Sequence, residues 1–100
     1  MGLIEWSDAA TNDLYEIWAY IAIDNDAAAD KTLDAIKQRC ILLSEFPGAA
    51  EARPDLGDNV RTSPVGMIVI YYRPKATGIE VLRLIHGSRI PTATDILRPE

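Results

Sequence analysis

The stretch from residue 60 to residue 89, VRTSPVGMIVIYYRPKATGIEVLRLIHGSR, constrains the fold more than any other part of this chain. It reads as three successive strands. Residues 66–73 and 79–86 are rich in Ile, Val, Leu and Tyr and are bounded by Pro and Gly, the composition of strands and of the turns between them. The breaks at Pro64-Val65-Gly66 and at Pro74-Lys75-Ala76-Thr77-Gly78 predict consecutive antiparallel pairing. In the first of these strands the even positions are Ile68, Ile70 and Tyr72, and the odd ones Met67, Val69, Tyr71 and Arg73. In the second, alternation places Glu80, Leu82, Leu84 and His86 on one face and Ile79, Val81, Arg83 and Ile85 on the other. Neither strand has a clean polar face. A sheet that is apolar on both sides requires two covers, and the rest of the chain is expected to supply one.

One hundred residues read as a single domain spanning 1–100, able to bury roughly two-thirds of the surface it exposes when unfolded. A hydrophobic content of 48% with 25% charged residues is that of an ordinary soluble globular protein. The longest strongly apolar run, residues 67–72, is far short of the ~20 residues of a membrane span, so no membrane partner is expected. No secretory signal pattern follows Met1, and the single Cys40 cannot form an internal disulfide, which fits a cytoplasmic location. The formal net charge of −5 is uneven: residues 1–50 carry three basic and nine acidic side chains, residues 51–100 seven and six. Phosphate neutralisation dominates nucleic-acid affinity, so direct nucleic-acid binding is not expected of so acidic a chain. The basic groups that exist lie mainly in the strand half.

Before the strands, Leu3-Ile4-Glu5-Trp6 is a short strand-like run. Ser7 then makes a good N-cap, with Asp8 in the first turn. Leu14, Ile17, Trp18 and Ile21 form the apolar stripe of a helix whose opposite side carries Asn12, Asp13 and Glu16. Asp24-Asn25-Asp26 interrupts the pattern, and either Asn25 or Asp26 caps a second helix with the stripe Ala29, Leu33, Ile36, Cys40 and Leu43. Pro47-Gly48 stops it by Phe46. The short link and two stripes predict an antiparallel helical hairpin across one sheet face. Residues 49–59 read as a polar connection. In the tail after Arg89, residues 94–97 form a turn of helix that tucks Ile96 and Leu97 toward the second face without covering it fully.

The common catalytic signatures are absent: there is no Gly-rich phosphate loop and no HExxH or CxxC metal site, so neither cofactor nor metal is expected. Cys40 lies mid-stripe and reads as a small core residue. His86, at the end of the last strand, reads more simply as a hydrogen-bonded structural residue than as a general base. Arg83 is harder to place. An unpaired guanidinium in an apolar strand is prohibitive, so it must reach a carboxylate, the sheet edge or a partner. An internal ion pair with a helix Asp or Glu is the plainest of these.

Taken together, Ser7-x-x-Ala10-x-x-Asp13-Leu14, Phe46-Pro47-Gly48, Arg61, Tyr71-Tyr72-Arg73 and above all Val81-Leu82-Arg83-Leu84-Ile85-His86-Gly87-Ser88-Arg89 resemble the ParE/RelE superfamily of toxins from bacterial type II toxin–antitoxin pairs. The resemblance runs from Ile4 to Arg89. It implies an α+β fold: a short N-terminal strand, an antiparallel helical hairpin, then a three-stranded antiparallel meander forming one sheet. It also implies a cognate antitoxin that lays an extended or helical segment on the face its own helices leave open, in a hetero-oligomer with the toxin. RelE-like members cleave mRNA on the ribosome with a cluster of Lys, Arg and Tyr; ParE-like members lack that cluster and poison DNA gyrase. Here the connection before the strands has only Arg53 and no Lys, and no Tyr follows Tyr72. The resemblance therefore implies a ParE-like, non-enzymatic toxin acting on gyrase. A RelE-like endoribonuclease is the alternative, and a degenerate member that only binds antitoxin is a third. The residues implied in target or antitoxin binding are Arg61, Tyr71, Arg73, Arg83, His86 and Arg89.

Overall fold

The computed structural model describes residues 2–97; the ends of the chain, residue 1 and residues 98–100 of the tail, lie outside the described residues. The chain begins with strand β1 (Leu3–Trp6) and turns into helix α1 (Asp8–Ala22) at Ser7. Ser7 caps that helix, its Oγ accepting from Ala10 N–H at 3.0 Å while donating to the carbonyl of Leu82 at 2.8 Å. The same hydroxyl therefore starts the helix and fastens it to the far end of the sequence. Asn25 caps α2 (Asp26–Glu45) by accepting from Ala28 N–H, and the helix ends one residue before Phe46, as the Pro47-Gly48 break requires.

After α2 come β2 (Glu51–Ala52), a 3-10 turn at Pro54–Leu56, then β3 (Arg61–Val65), β4 (Ile68–Lys75), β5 (Gly78–His86) and the short helix α3 (Ala93–Leu97). The expected meander is present as β3, β4 and β5, but the sheet is larger than a three-stranded meander. It has five strands in the order β1-β5-β4-β3-β2 and is mixed, because β1 runs parallel to β5 while every other pairing is antiparallel. The two-residue β2 lies in what reads from sequence as a featureless connection. It is too short to show any periodicity, and its pairing with Arg61 and Thr62 is tertiary. Gly78 permits the parallel contact: its φ of +154° is a conformation other residues avoid, and a Cβ there would collide with the backbone of Leu3.

Strict alternation also fails along β5. Tyr71 lies opposite Arg83 and Tyr72 opposite Val81, so Leu82 is an extra, unopposed residue, a β-bulge. The bulge shifts the phase of the strand. Ile79, Val81 and Leu84 face the helices and pack with Ile70, Tyr72, Ala10, Ile36, Cys40 and Leu43. Leu82 and Ile85 instead join Tyr71, Leu56, Val60 and Ile96 in a second cluster on the outer face. That second cluster is closed partly by the chain itself, since Ile96 of α3 is fully buried in it and Leu97 stays at its margin. Cys40 is an inert core thiol, its pKa pushed up to about 12 by burial.

Candidate functional site

The parallel strand β1 covers β5 only from Gly78 to Val81. Beyond that point the chain leaves the sheet through Ser7 and becomes α1, so Leu82 to His86 forms an open edge. Two side chains of the first helical segment supply bonds to that edge: Ser7 Oγ reaches the Leu82 carbonyl, and Asp13 Oδ2 accepts from Leu84 N–H at 3.0 Å. Asp13 is only 8% exposed although it belongs to the side of α1 that periodicity reads as polar.

Asp13 is buried because Arg83, thrown sideways at the bulge, meets it. Arg83 donates from Nε to Asp13 Oδ2 at 2.7 Å and from a terminal nitrogen to Oδ1 at 3.0 Å, a two-pronged pair of the strong kind. Its remaining terminal nitrogen donates to the carbonyl of Asp95 at 2.8 Å. One guanidinium thus ties α1, β5 and α3 together. The hydrogen bonding to Asp13 is the main reason that the Arg83 pKa lies above its ordinary value, against the opposing effect of burial.

Along the open edge runs a groove of about 840 Å³ between the helical hairpin and the ends of β4 and β5. Its walls are apolar, with Ile17, Ile21, Ile68 and Leu84, and Lys31, Glu16, His86 and Arg89 stand among its lining charges. The exposed Tyr20 also lines it. Because Leu84 N–H faces the edge, alternation makes Leu84 C=O and His86 N–H face it too. An open strand edge beside an apolar groove is a template for an added extended segment.

His86 and Arg89 lie at the mouth of this groove. Ser88 N–H donates to His86 Nδ1 at 3.1 Å, with the Ser88 hydroxyl 2.8 Å from the same nitrogen. Arg89 is exposed and pairs with Asp95 at 3.1 Å. Asp95 in turn accepts from Thr92 N–H while its own N–H donates to Thr92 Oγ1, a reciprocal cap at the start of α3. The Thr92 backbone bond, followed by Arg89, holds the Asp95 carboxyl below the usual carboxylate range.

The other three site candidates lie elsewhere. Arg61 is on the helix side of β3, where it donates to the carbonyls of Ala50 at 2.6 Å and Gly48 at 3.4 Å. Beside it Tyr72 donates to the Pro47 carbonyl at 2.7 Å, so both side chains pin the segment that follows α2. Tyr71 and Arg73 are on the outer face. The six candidates therefore divide into a groove-mouth group (Arg83, His86, Arg89), an outer-face pair (Tyr71, Arg73) and Arg61 under the loop. No group of three metal-ligating side chains comes together among the described residues.

Comparison with known proteins bears on family and fold. The model of the family described as the ParE toxin of the type II toxin–antitoxin system parDE matches residues 4–91. The chain belongs to the ParE toxin family. A solved chain from the chromosomal ParDE toxin–antitoxin system of P. aeruginosa shares its fold at 24% identity, with a TM-score of 0.70 over 86% of this chain and 96% of that one. No curated protein sequence matches the chain. As a ParE-family member it is a type II toxin component, and a toxin of such a pair has an antitoxin partner.

Two residues of this cluster are not singled out by the sequence. An ion pair of Arg83 with a helix Asp or Glu is expected from the sequence, but periodicity counts Asp13 among the polar outer positions and does not single it out as the partner. Asp95 lies in the tail, and its only local signal is the Thr92-x-x-Asp95 spacing of a helix cap.

Proposed function

We propose that this ParE-family chain acts by binding DNA gyrase in the cytoplasm, not by cleaving RNA, and that its antitoxin neutralises it by laying a segment in the groove beside the open edge of β5. The observation that carries the first part is how the polar side chains of the sheet are used. Arg61, Tyr72 and Arg83 give their donors to carbonyls and a carboxylate of the same chain. The single imidazole lies exposed at a strand end, with its bonded partner two residues away. General acid–base cleavage of RNA needs groups free to take and give protons around one phosphate. Among the described residues no convergent set of such groups faces one point, which favours a protein that works by contact.

The test is direct. Purified chain should inhibit gyrase-dependent supercoiling or trap cleaved DNA while leaving ribosome-bound mRNA intact. Codon-periodic mRNA cleavage that disappears in an Arg83→Ala variant would reverse the choice of mechanism.

A further inference from the structure

Six arginines lie among the described residues. Arg39, Arg53, Arg61, Arg83 and Arg89 each bond to a carbonyl, a hydroxyl or a carboxylate of the chain. Arg73 bonds to none of these among the described residues, and its Nε is buried with no hydrogen-bond partner. A second orphan lies close by. Thr62, 7% exposed, has a buried Oγ1 that also lacks a partner. Buried donors left unmade are uncommon because each forfeits its bond to water and gains nothing in return.

Both groups are on the outer face. Thr62 is directly opposite Tyr71 across the β3–β4 pairing, and Arg73 follows two residues after Tyr71 on the same face. Thr62 and Arg73 are thus diagonal neighbours, at backbone positions roughly 7–8 Å apart, within reach of one another's side chains. The acids that could have satisfied them do not: Glu80 lies directly opposite Arg73 and Glu51 directly opposite Thr62, yet no ion pair joins either to Arg73. What this spot lacks is an acceptor.

We propose that Thr62, Tyr71 and Arg73 form a carboxylate-binding site that seats an acidic side chain of a protein partner. The proposal deepens, and rests on, the reading of this chain as a toxin that works by protein contact. A carboxylate offers two oxygens in one plane, which matches Nε and one terminal nitrogen of a guanidinium and leaves a lone pair for the threonine hydroxyl. Tyr71, directly opposite Thr62, is held rigidly in the outer-face cluster beside the two donors. Glu51 and Glu80 lie directly opposite the two donors, and their charge disfavours a nucleic acid, whose many phosphates would meet it, more than a single carboxylate.

The full chain labelled with 15N tests this, because the Nε–H resonance of each arginine can be followed singly. The probe is a capped pentapeptide with one central glutamate between alanines; its glutamine counterpart is the control. The Arg73 resonance should shift saturably with the glutamate peptide and hardly with the glutamine one. Arg73→Lys, which keeps the charge but loses the fork, should abolish binding. Thr62→Val should weaken it about fivefold, the size of one hydrogen bond, with an unchanged backbone spectrum. A flat titration, an equal response to the glutamine peptide, or tighter binding of oligothymidylate would overturn the site. So would an Arg73 resonance that moves on Glu80→Gln in the peptide-free chain while the unaltered chain ignores the peptide, since Glu80 would then be the acceptor. The titration uses the isolated chain, so a failure to inhibit gyrase counts against the target and not against the site.

Discussion

Asp13 and Arg83, seventy residues apart in sequence, are joined by two hydrogen bonds of 2.7 and 3.0 Å, and the same carboxylate also accepts from Leu84 N–H. Removing one member of a buried pair strands the other, typically at about 3–5 kcal/mol. Asp13→Ala should therefore lower the melting temperature by more than about ten degrees for a domain of this size. Calorimetry of the single and double variants should give a coupling of at least about 1 kcal/mol between the two sites. Additive effects would show that the pair contributes little.

Arg89 presents the opposite case. Its pair with Asp95 is exposed, and such pairs contribute about 0–1 kcal/mol. Arg89→Ala should leave the melting temperature within a few degrees. If Arg89 touches the target, growth inhibition should fall by about thirtyfold or more in effective affinity. Toxicity lost only in proportion to a lowered melting temperature would make Arg89 structural.

The attachment of α3 should depend on acid. In the folded chain the Asp95 carboxyl lies below its ordinary value of 3.8, held there first by Thr92 N–H and then by Arg89. A depressed carboxyl contributes its stability above the unfolded value and loses it as the pH falls through the folded one. Its side-chain carbonyl carbon, followed by NMR, should titrate with a midpoint below 3.8, and protection of α3 amides should fall over the same range. A midpoint at or above 3.8 would contradict the cap.

Antitoxin binding is expected to use the groove, including its α1 wall. Tyr20 is exposed on the groove wall, so Tyr20→Glu should spare the fold. It should weaken a co-expressed antitoxin complex at least tenfold while gyrase inhibition persists. The unaltered complex should bury about 1,200 Å² or more. Undiminished antitoxin affinity in the variant would move the antitoxin to another surface.

Local chemistry made much of the fold readable. Ser7 and Asn25 are caps by residue type, Pro47-Gly48 is a stop by backbone geometry, and the strands from Ile68 and Gly78 are legible from their branched and aromatic residues. The limits were reached where a feature depends on a distant neighbour. A bulge at Leu82 is invisible to a rule of strict alternation, and that single residue decides which of Leu82 and Leu84 faces the helices. The direction of β1 could not be inferred either, since four residues pair as readily parallel as antiparallel until a connection fixes them. At the site, the group at the groove mouth was visible as types of residue. Its carboxylates were not, because Asp13 and Asp95 look like ordinary surface acids.

The parallel contact between β1 and β5 has a consequence for synthesis. Residues 3–6 find their sheet partner only at 78–81, Ser7 its acceptor at Leu82 and Asp13 its cation at Arg83. Contacts of such long separation are slow to form, because the intervening chain must be closed before any bond rewards it. As a ribosome releases the chain from its first residue onward, the helical hairpin emerges early and waits, its inner face uncovered, for the last strand of the sheet. The groove is bounded by that strand, so it does not exist on a nascent chain. Any protein that recognises the groove meets only a finished molecule, whereas one that recognises the hairpin alone could engage while translation is still under way.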